Sequence, residues 1–483
     1  MEFITEWPPP DGPDRIQIDQ EEEQPKIKRV KRRKSSGRSI EDLVSAQVLI
    51  ASWWRKNGTS QDLNNVKSKA PYAKIKAICK LKDTQNFLQA LEKRFVDSTT
   101  CRDIYTLVTL YRILEKDQEA FSWSQLLLEK RALRYLSCKS SESLLNLEYI
   151  KGLSSFDKEV LRVATLAQLQ YHFACSADTA AKAEMALAAT SSLPKEDFPT
   201  STVQVCQAKE LTLQNFKEKF SQAKKPVIIE GLELTQHLWT FSFLKSVAGQ
   251  YSVHLRYAHP DSTEWAKLES SAESVTIRDF IESIEEDKVG ESEAKGYLFD
   301  WSLPLYCPEL YKDFSVPFYF EESQDYLKKV DCSLYKRSWP SLFISPKGTV
   351  SELHIDAFGS NFWMALLSGR KKWTFFQPKM TPYLRPRYVD TFDPVFDIDW
   401  QELKVDQFSP TVMMEVTLTP GQVLFVPAGS PHRVENLEAS VAVSGNIVDE
   451  SNLQECLLML SRNALSDNRC IELMAQLLAL QNK

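Results

Sequence analysis

The sequence predicts an α+β protein in which an all-helical region, residues 39–190, precedes a β-barrel, residues 205–450, and helices close the chain over 451–483. Three patterns carry this. Amphipathic stretches with apolar residues three and four apart recur between Ser39 and Thr190. Short apolar or aromatic runs, Ser360 to Leu367, Lys372 to Phe376 and Val423 to Val426, then alternate with turn signals such as Thr419-Pro420-Gly421-Gln422. Helical spacing returns at Leu457, Leu460, Leu465, Ile471, Met474, Leu477 and Leu480. With 483 residues, 43% apolar and 11% aromatic, the chain has material for two or three domains with real cores.

Residues 1–38 are Pro-rich, then acidic, then basic, with too few core formers to offset chain entropy, and are expected to be disordered. Helices are expected from Ser39 to the Asn57-Gly58 stop, then over Tyr72–Val96, Thr100–Glu115, Trp123–Leu136, Ser141–Gly152, Asp157–Ala174 and Asp178–Thr190. No fixed-period repeat marks a solenoid, and the region reads equally as a recognition module or as packing support. The polar, proline-bearing stretch at 191–204 is the linker. Beyond it come a helix at Leu211–Gln222, a strand at Pro226–Ile229, a helix at Thr235–Val247, a strand at Ser252–Tyr257 and a helix at Thr276–Asp287, ahead of the barrel proper.

No run approaches the length of uncharged apolar residues that a membrane span needs, and the N-terminus lacks a signal-peptide pattern. The nine cysteines are scattered without a CxxC pair, which points to reduced thiols in a cytosolic or nuclear protein. A net charge of -6 argues against a general nucleic-acid surface. Lys26-Ile27-Lys28-Arg29-Val30-Lys31-Arg32-Arg33-Lys34 resembles a nuclear-import signal, so an importin is an expected partner through 26–34 and the nucleus the expected location, with the cytoplasm as the alternative.

The chemistry is concentrated in His354-Ile355-Asp356 and the distant His432. Two imidazoles and a carboxylate form the facial triad that holds non-haem Fe(II) with positions left open. Alternation along a strand puts His354 and Asp356 on one face and Ile355 on the other. Around these residues, Ser351-Glu352-Leu353-His354-Ile355-Asp356, Ser368-Gly369-Arg370-Lys371-Lys372-Trp373-Thr374-Phe375-Phe376 and Pro420-Gly421-Gln422-Val423-Leu424-Phe425-Val426-Pro427 resemble the motifs of the JmjC family, as does the opening Lys225-Pro226-Val227-Ile228-Ile229-Glu230-Gly231 with Trp239.

That resemblance implies a double-stranded β-helix, the jelly-roll or cupin barrel, with Fe(II) on His354, Asp356 and His432, 2-oxoglutarate as co-substrate and O2 as oxidant. The far carboxylate of the co-substrate needs a buried cation and hydroxyl donors. One of Lys371 and Lys372 must face inward; the resemblance favours Lys371 and leaves Lys372 as the alternative. It also implies co-substrate contacts from Ser351, Tyr297, Ser444 and Asn446. Trp363 reads as a pocket wall or as core. Two departures stand out: Ser430-Pro431 replaces an aromatic pair ahead of His432, and Met364 stands where lysyl-hydroxylase relatives carry an amide. The implied activity is hydroxylation of a protein or peptide side chain, converting 2-oxoglutarate and O2 to succinate and CO2. The alternatives are N-methyl demethylation of a lysine or arginine and an idle scaffold that binds a partner. The tail helices are expected to form a homodimer or to cap their own barrel.

Overall fold

A computed structural model of the chain describes residues 101–113, 116–131, 147–190, 203–258, 268–286, 296–332, 338–384, 391–396 and 413–481, with a few isolated positions between them. The acidic and basic tail, the importin motif, the helices expected before Thr100 and most of the linker lie outside the described residues. In chain order the first elements are α1 (Cys101–Ile113), α2 (Asp117–Arg131), α3 (Leu147–Gly152) and α4 (Ser155–Thr190). Two of the expected helices are thus one continuous α4.

The chain divides into two units, the first holding α1, α2 and the part of α4 up to His172. In that unit Ile104, Leu107, Val108 and Tyr111 of α1, Leu127 and Leu128 of α2, and Val160, Leu161 and Ala164 of α4 are buried. At the margin Tyr105 Oη donates to Glu159 Oε1 (2.8 Å) and Arg131 Nε to Asp157 Oδ1 (2.8 Å).

The second unit holds α3 and the part of α4 from Phe173, followed by β1 (Gln204–Gln207), α5 (Leu213–Phe216) running into a π-helical turn at Lys217–Ser221, β2 (Val227–Glu230) and α6 (Phe241–Val247). Thr212 and Thr240 cap α5 and α6, each hydroxyl accepting from a backbone N–H three residues on. The helix expected from Thr235 is therefore only its second half. Asp313 accepts from the His237 backbone N–H and from Trp239 Nε1 (2.6 Å), and this holds the preceding residues out of helical conformation.

Next come β3 (Ser252–Val253), β4 (Arg256–Ala258), β5 (Leu268–Ser270), β6 (Val275–Thr276), α7 (Ile277–Glu285), β7 (Leu298–Ser302), α8 (Leu303–Tyr306) and α9 (Pro308–Asp313). The single strand expected over Ser252–Tyr257 is split into β3 and β4. The barrel continues with β8 (Ser341–Ser345), β9 (Val350–His354), β10 (Asn361–Ser368), β11 (Lys371–Phe376), β12 (Met413–Leu418), β13 (Val423–Val426), β14 (His432–Asn436) and β15 (Ser440–Ile447), and the tail forms α10 (Leu453–Asn463) and α11 (Asn468–Gln481).

Seven strands in the order β1-β2-β13-β10-β15-β8-β7 make one sheet and four in the order β12-β11-β14-β9 make the other. All barrel pairs are antiparallel except β1 with β2. The seven-stranded sheet is covered on both faces. Val227, Ile229, Phe425, Val441 and Val443 pack on one side with Phe216, Phe320 and Trp363, while Ile228, Leu424, Val426 and Ala442 pack between the sheets with Met364, Trp373 and Phe375. Double coverage explains why these strands read as unbroken apolar runs rather than alternating ones. At the β10–β11 turn Gly369 has φ +82°, and a Cβ there would stand 2.2 Å from the Ala439 carbonyl oxygen, so only glycine fits.

The apolar stripe of the tail is buried on its own chain. Leu457, Leu460, Met474 and Leu477 pack against Leu327, Tyr335 and Trp339.

Phe425 lies 1% exposed, edge-on to Phe216 at 4.9 Å. Phe425→Ala is expected to cost about 3–5 kcal/mol, measured as a lower urea midpoint at unchanged slope. Leu238→Ala, at a residue 76% exposed, should shift stability by less than about 0.5 kcal/mol.

Candidate metal and co-substrate site

Between the sheets lies a cavity whose lining includes Tyr297, Ser351, His354, Asp356, Lys371, His432, Asn436 and Asn446. Its upper end is set by strand register. His432 of β14 stands opposite His354 of β9 on one side and Phe375 of β11 on the other. The rings of the two histidines are 4.2 Å apart between centroids. One ligand atom from each of His354, Asp356 and His432 lies within 4.8 Å of the others, and His432 Nε2 stands 3.9 Å from Asp356 Oδ2.

Both imidazoles are oriented by backbone. His354 Nδ1 bonds the Glu352 carbonyl oxygen (2.6 Å) and His432 Nδ1 that of Ser430 (3.0 Å). With each Nδ1–H donating to a carbonyl, each Nε2 keeps its lone pair for a metal. Pro431 fits this geometry, its carbonyl oxygen accepting from the Phe376 N–H at 2.8 Å.

Asp356 does not lie on the strand, as the alternation argument had it. β9 ends at His354, and Asp356 is the extended residue (φ −59°, ψ 142°) that opens the short 3-10 turn Ala357–Gly359. The tail holds that turn. Asn452 Nδ2 donates to the Gly359 carbonyl oxygen (2.9 Å), and Phe358 packs into the core of α10 and α11.

Ser351 and His354 are three residues apart and both line the cavity, which plain alternation forbids. A bulge resolves this. His432 pairs with His354 but Val434 pairs with Ser351, so β9 carries one extra residue at Glu352–Leu353.

The other end of the cavity holds Lys371. Its side chain is buried, and Nζ donates to Asn436 Oδ1 (2.6 Å). Asn436 Oδ1 also accepts from Ser440 Oγ (2.7 Å), and Nδ2 donates to the Thr349 carbonyl oxygen (2.9 Å). Lys372 lies on the outer face, paired with Glu415 at 2.9 Å. Burial alone pushes the Lys371 amine down to about 7. Tyr297 and Ser351 share a hydrogen bond, and burial raises the tyrosine. Asn446 lines the cavity and donates to Ser360 Oγ (2.7 Å). Ser444 is buried without a hydrogen-bond partner and outside the lining; at its level the wall is its cross-strand partner Met364. Trp363 faces away from the cavity and stacks on Phe320 at 5.4 Å.

These residues suit a dicarboxylate beside a divalent metal. A buried amine meets one neutral acceptor, and the indole Nε1 of cavity-lining Trp373 has no partner. Asn436 was not singled out from the sequence, where alternation along the strand places Trp373 and Phe375 on one face with Lys371 but gives Trp373 no role. Asn436 follows His432 by four on an alternating strand, which was the available signal.

A double-stranded β-helix with a His-Asp-His cluster at one end and a buried lysine at the other defines the class. Residues 213–446 match the family model for a cupin-like domain, and this stretch is similar to JmjC oxygenases and demethylases. Among similar proteins, the lysine-specific demethylase JMJ21 of Arabidopsis thaliana is 29% identical over 273 residues, 53% of this chain and 26% of that one. The lysine-specific demethylase 8 of Danio rerio is 31% identical over 249 residues, 48% of this chain and 55% of that one. The 2-oxoglutarate and iron-dependent oxygenase JMJD4 of Danio rerio is 28% identical over 265 residues, 54% of this chain and 60% of that one. The chain thus spans between a quarter and three fifths of the length of these curated relatives.

Burial and the neighbouring His432 hold His354 well below the usual imidazole range. The unfolded chain protonates this residue near 6.5, so its contribution is complete above that pH and is lost as pH falls below it. In chelator-treated protein the urea stability difference between wild type and His354→Asn should therefore change between pH 7.5 and 5.5, by up to about 1.4 kcal/mol per pH unit. A pH-independent difference would contradict this.

Proposed function

We propose that the chain is an Fe(II)- and 2-oxoglutarate-dependent dioxygenase that hydroxylates a protein side chain. The observation that carries the reading is the pairing of the convergent His354, Asp356 and His432 donors with the buried Lys371 at the opposite end of one cavity. In this reading His354, Asp356 and His432 hold the metal. Lys371 receives the far carboxylate of the co-substrate, Ser351 and Tyr297 donate to it, and Asn436 keeps the amine in place. Asn446 lines the wall nearer the metal, and Ser444 lies beside Met364 outside the lining. When bound, Fe(II) with 2-oxoglutarate and O2 supplies the oxidation, releasing succinate and CO2 as the substrate C–H bond is hydroxylated. The walls Phe299, Phe343, Phe362 and Met364 exclude water from the reacting centre.

The second reading is N-methyl demethylation, favoured by relatives named lysine- or arginine-specific demethylases. It needs the same residues and differs in which carbon loses hydrogen. Action in the nucleus rests on the basic run at 26–34. Among the described residues no helix is long and apolar enough to cross a membrane.

Alanine at His354, Asp356 or His432 is expected to abolish Mn(II) binding in calorimetry and Fe(II)-dependent succinate formation. Mass spectrometry of candidate peptides separates the two readings: gain of one oxygen supports hydroxylation and formaldehyde release supports demethylation. Failure of the intact chain to bind Mn(II) or 2-oxoglutarate would sink both and leave a binding scaffold.

Lys371→Ala should weaken 2-oxoglutarate binding roughly 10- to 100-fold. The co-substrate favours the ammonium form. With the free amine near 7, affinity should be level below that pH and fall by up to about tenfold per unit above it, with proton uptake. Titrations in buffers of different ionisation enthalpy read this directly.

A further inference from the structure

The lysine end of the cavity carries a hydroxyl that the protein itself does not use. Phe343 and Ser345 share a face of β8, and both line the cavity. Ser345 is 2% exposed, and its Oγ makes no hydrogen bond to any described residue. A buried hydroxyl without a partner is destabilising, and alanine at the same place would avoid that penalty.

Register places this hydroxyl among the groups around Lys371. Ser345 pairs with Ser440 of β15. Ser440 Oγ donates to Asn436 Oδ1 (2.7 Å), the same oxygen that takes Lys371 Nζ (2.6 Å). On the other side, Leu298 of β7 pairs with Ile344, which brings Tyr297 level with Ser345. A second bulge follows, Trp301 pairing with Leu342, so that Phe299 and Asp300 together face Phe343. Ser345 thus stands between Tyr297 and the Asn436 that holds the lysine. Trp373 stacks on the His432 ring at 5.6 Å, so its unpartnered indole N–H belongs nearer the metal.

The chemistry around Ser345 is one-sided. Asn436 Oδ1 has two lone pairs, and Lys371 and Ser440 occupy both. What the other groups bring is hydrogen. The ammonium keeps two of its three hydrogens, the hydrogen-bonded hydroxyls of Tyr297 and Ser351 keep one between them, and Ser345 keeps its own. These make about four donors, and an ionised carboxylate offers about four lone-pair sites. Without Ser345 one of those sites would be buried unpaired.

We propose that Ser345 is a further co-substrate-binding residue, its hydroxyl donating to the far carboxylate of 2-oxoglutarate beside Lys371, Tyr297 and Ser351. This rests on the oxygenase reading above and extends it to β8. The hydroxyl is unsatisfied in the chain by itself and satisfied by the dicarboxylate. It therefore favours a 2-oxo acid that ends in a carboxylate over one that ends in a methyl group, which would leave it unpaired.

The test uses the full chain and readouts that a structural role would move differently. In calorimetry on Mn(II)-loaded protein, Ser345→Ala should weaken 2-oxoglutarate about tenfold while Mn(II) affinity stays as in wild type. Urea unfolding without metal or co-substrate should find Ser345→Ala no less stable than wild type, since alanine removes an unsatisfied group. With Zn(II) as a diamagnetic metal and 2-oxoglutarate labelled with carbon-13 at both carboxyls, the far carboxylate signal should differ between wild type and Ser345→Ala. The signal of the carboxylate beside the 2-oxo group should not. Unchanged affinity, a less stable or unfolded Ser345→Ala, or an unmoved far carboxylate signal would overturn the assignment and leave Ser345 as a strand residue only. Absence of Mn(II) or 2-oxoglutarate binding in wild type would instead remove the oxygenase reading, and this proposal with it.

Discussion

The pairing of His432 with His354 across two antiparallel strands is the constraint on which the rest of this protein depends. Side chains alternate along a strand, so a one-residue slip of β14 against β9 would turn one imidazole out of the cavity. The same register carries Phe375 opposite His432 and Lys371 opposite Asn436, so metal end and lysine end are fixed by one alignment. Several local features defend it. Gly369 lets the β10–β11 turn approach the Ala439 carbonyl. The Phe376 N–H binds the Pro431 carbonyl at the mouth of β14, and Asn436 ties its end of β14 to Lys371, Ser440 and Thr349 at once.

The cavity is electrostatically unfinished in the chain by itself. A buried amine, two buried imidazoles, the buried Asp300 and the half-buried Asp356 share one space, and burial disfavours the charged forms of Lys371, His354, Asp300 and Asp356. Proteins rarely hold such groups without partners, because each costs stability that packing elsewhere must offset. Here two apolar cores flank the seven-stranded sheet and supply that offset. A cation and an anion entering together would relieve His354, Asp356 and Lys371, so ligand binding and stability are coupled in this fold.

Much of the site was legible in the sequence because its chemistry is written in rare residue types. Six histidines in the chain make the pattern of His354, Asp356 and His432 visible, and alternation predicts that Lys371, Trp373 and Phe375 share a face, as they do. Alternation left either face of β11 open to burial and only the resemblance favoured Lys371; in the structure Lys371 is buried and Lys372 pairs with Glu415 on the outer face. The strands β1, β7, β8, β12 and β15 were not read from the sequence; β1, β7 and β8 are only four or five residues long, and in all five pairing with neighbours rather than propensity makes the strand. The helix over-extended to Thr235 failed for a tertiary reason, the buried Asp313 drawing His237 and Trp239 to itself.

The two bulges explain the remaining gap between pattern and site. A five-residue strand of period two offers two or three inward positions, too few to supply ligand, hydroxyl donor and orienting carbonyl together. The extra residue in β9 brings Ser351 onto the face of His354 and turns the Glu352 carbonyl toward that imidazole. The extra residue in β7 brings Asp300 onto the face of Tyr297 and Phe299. Neither insertion alters the hydrophobic text, so neither is visible to periodicity. A barrel of short strands can thus gain polar groups without lengthening its strands, by breaking the pairing where the cavity needs them.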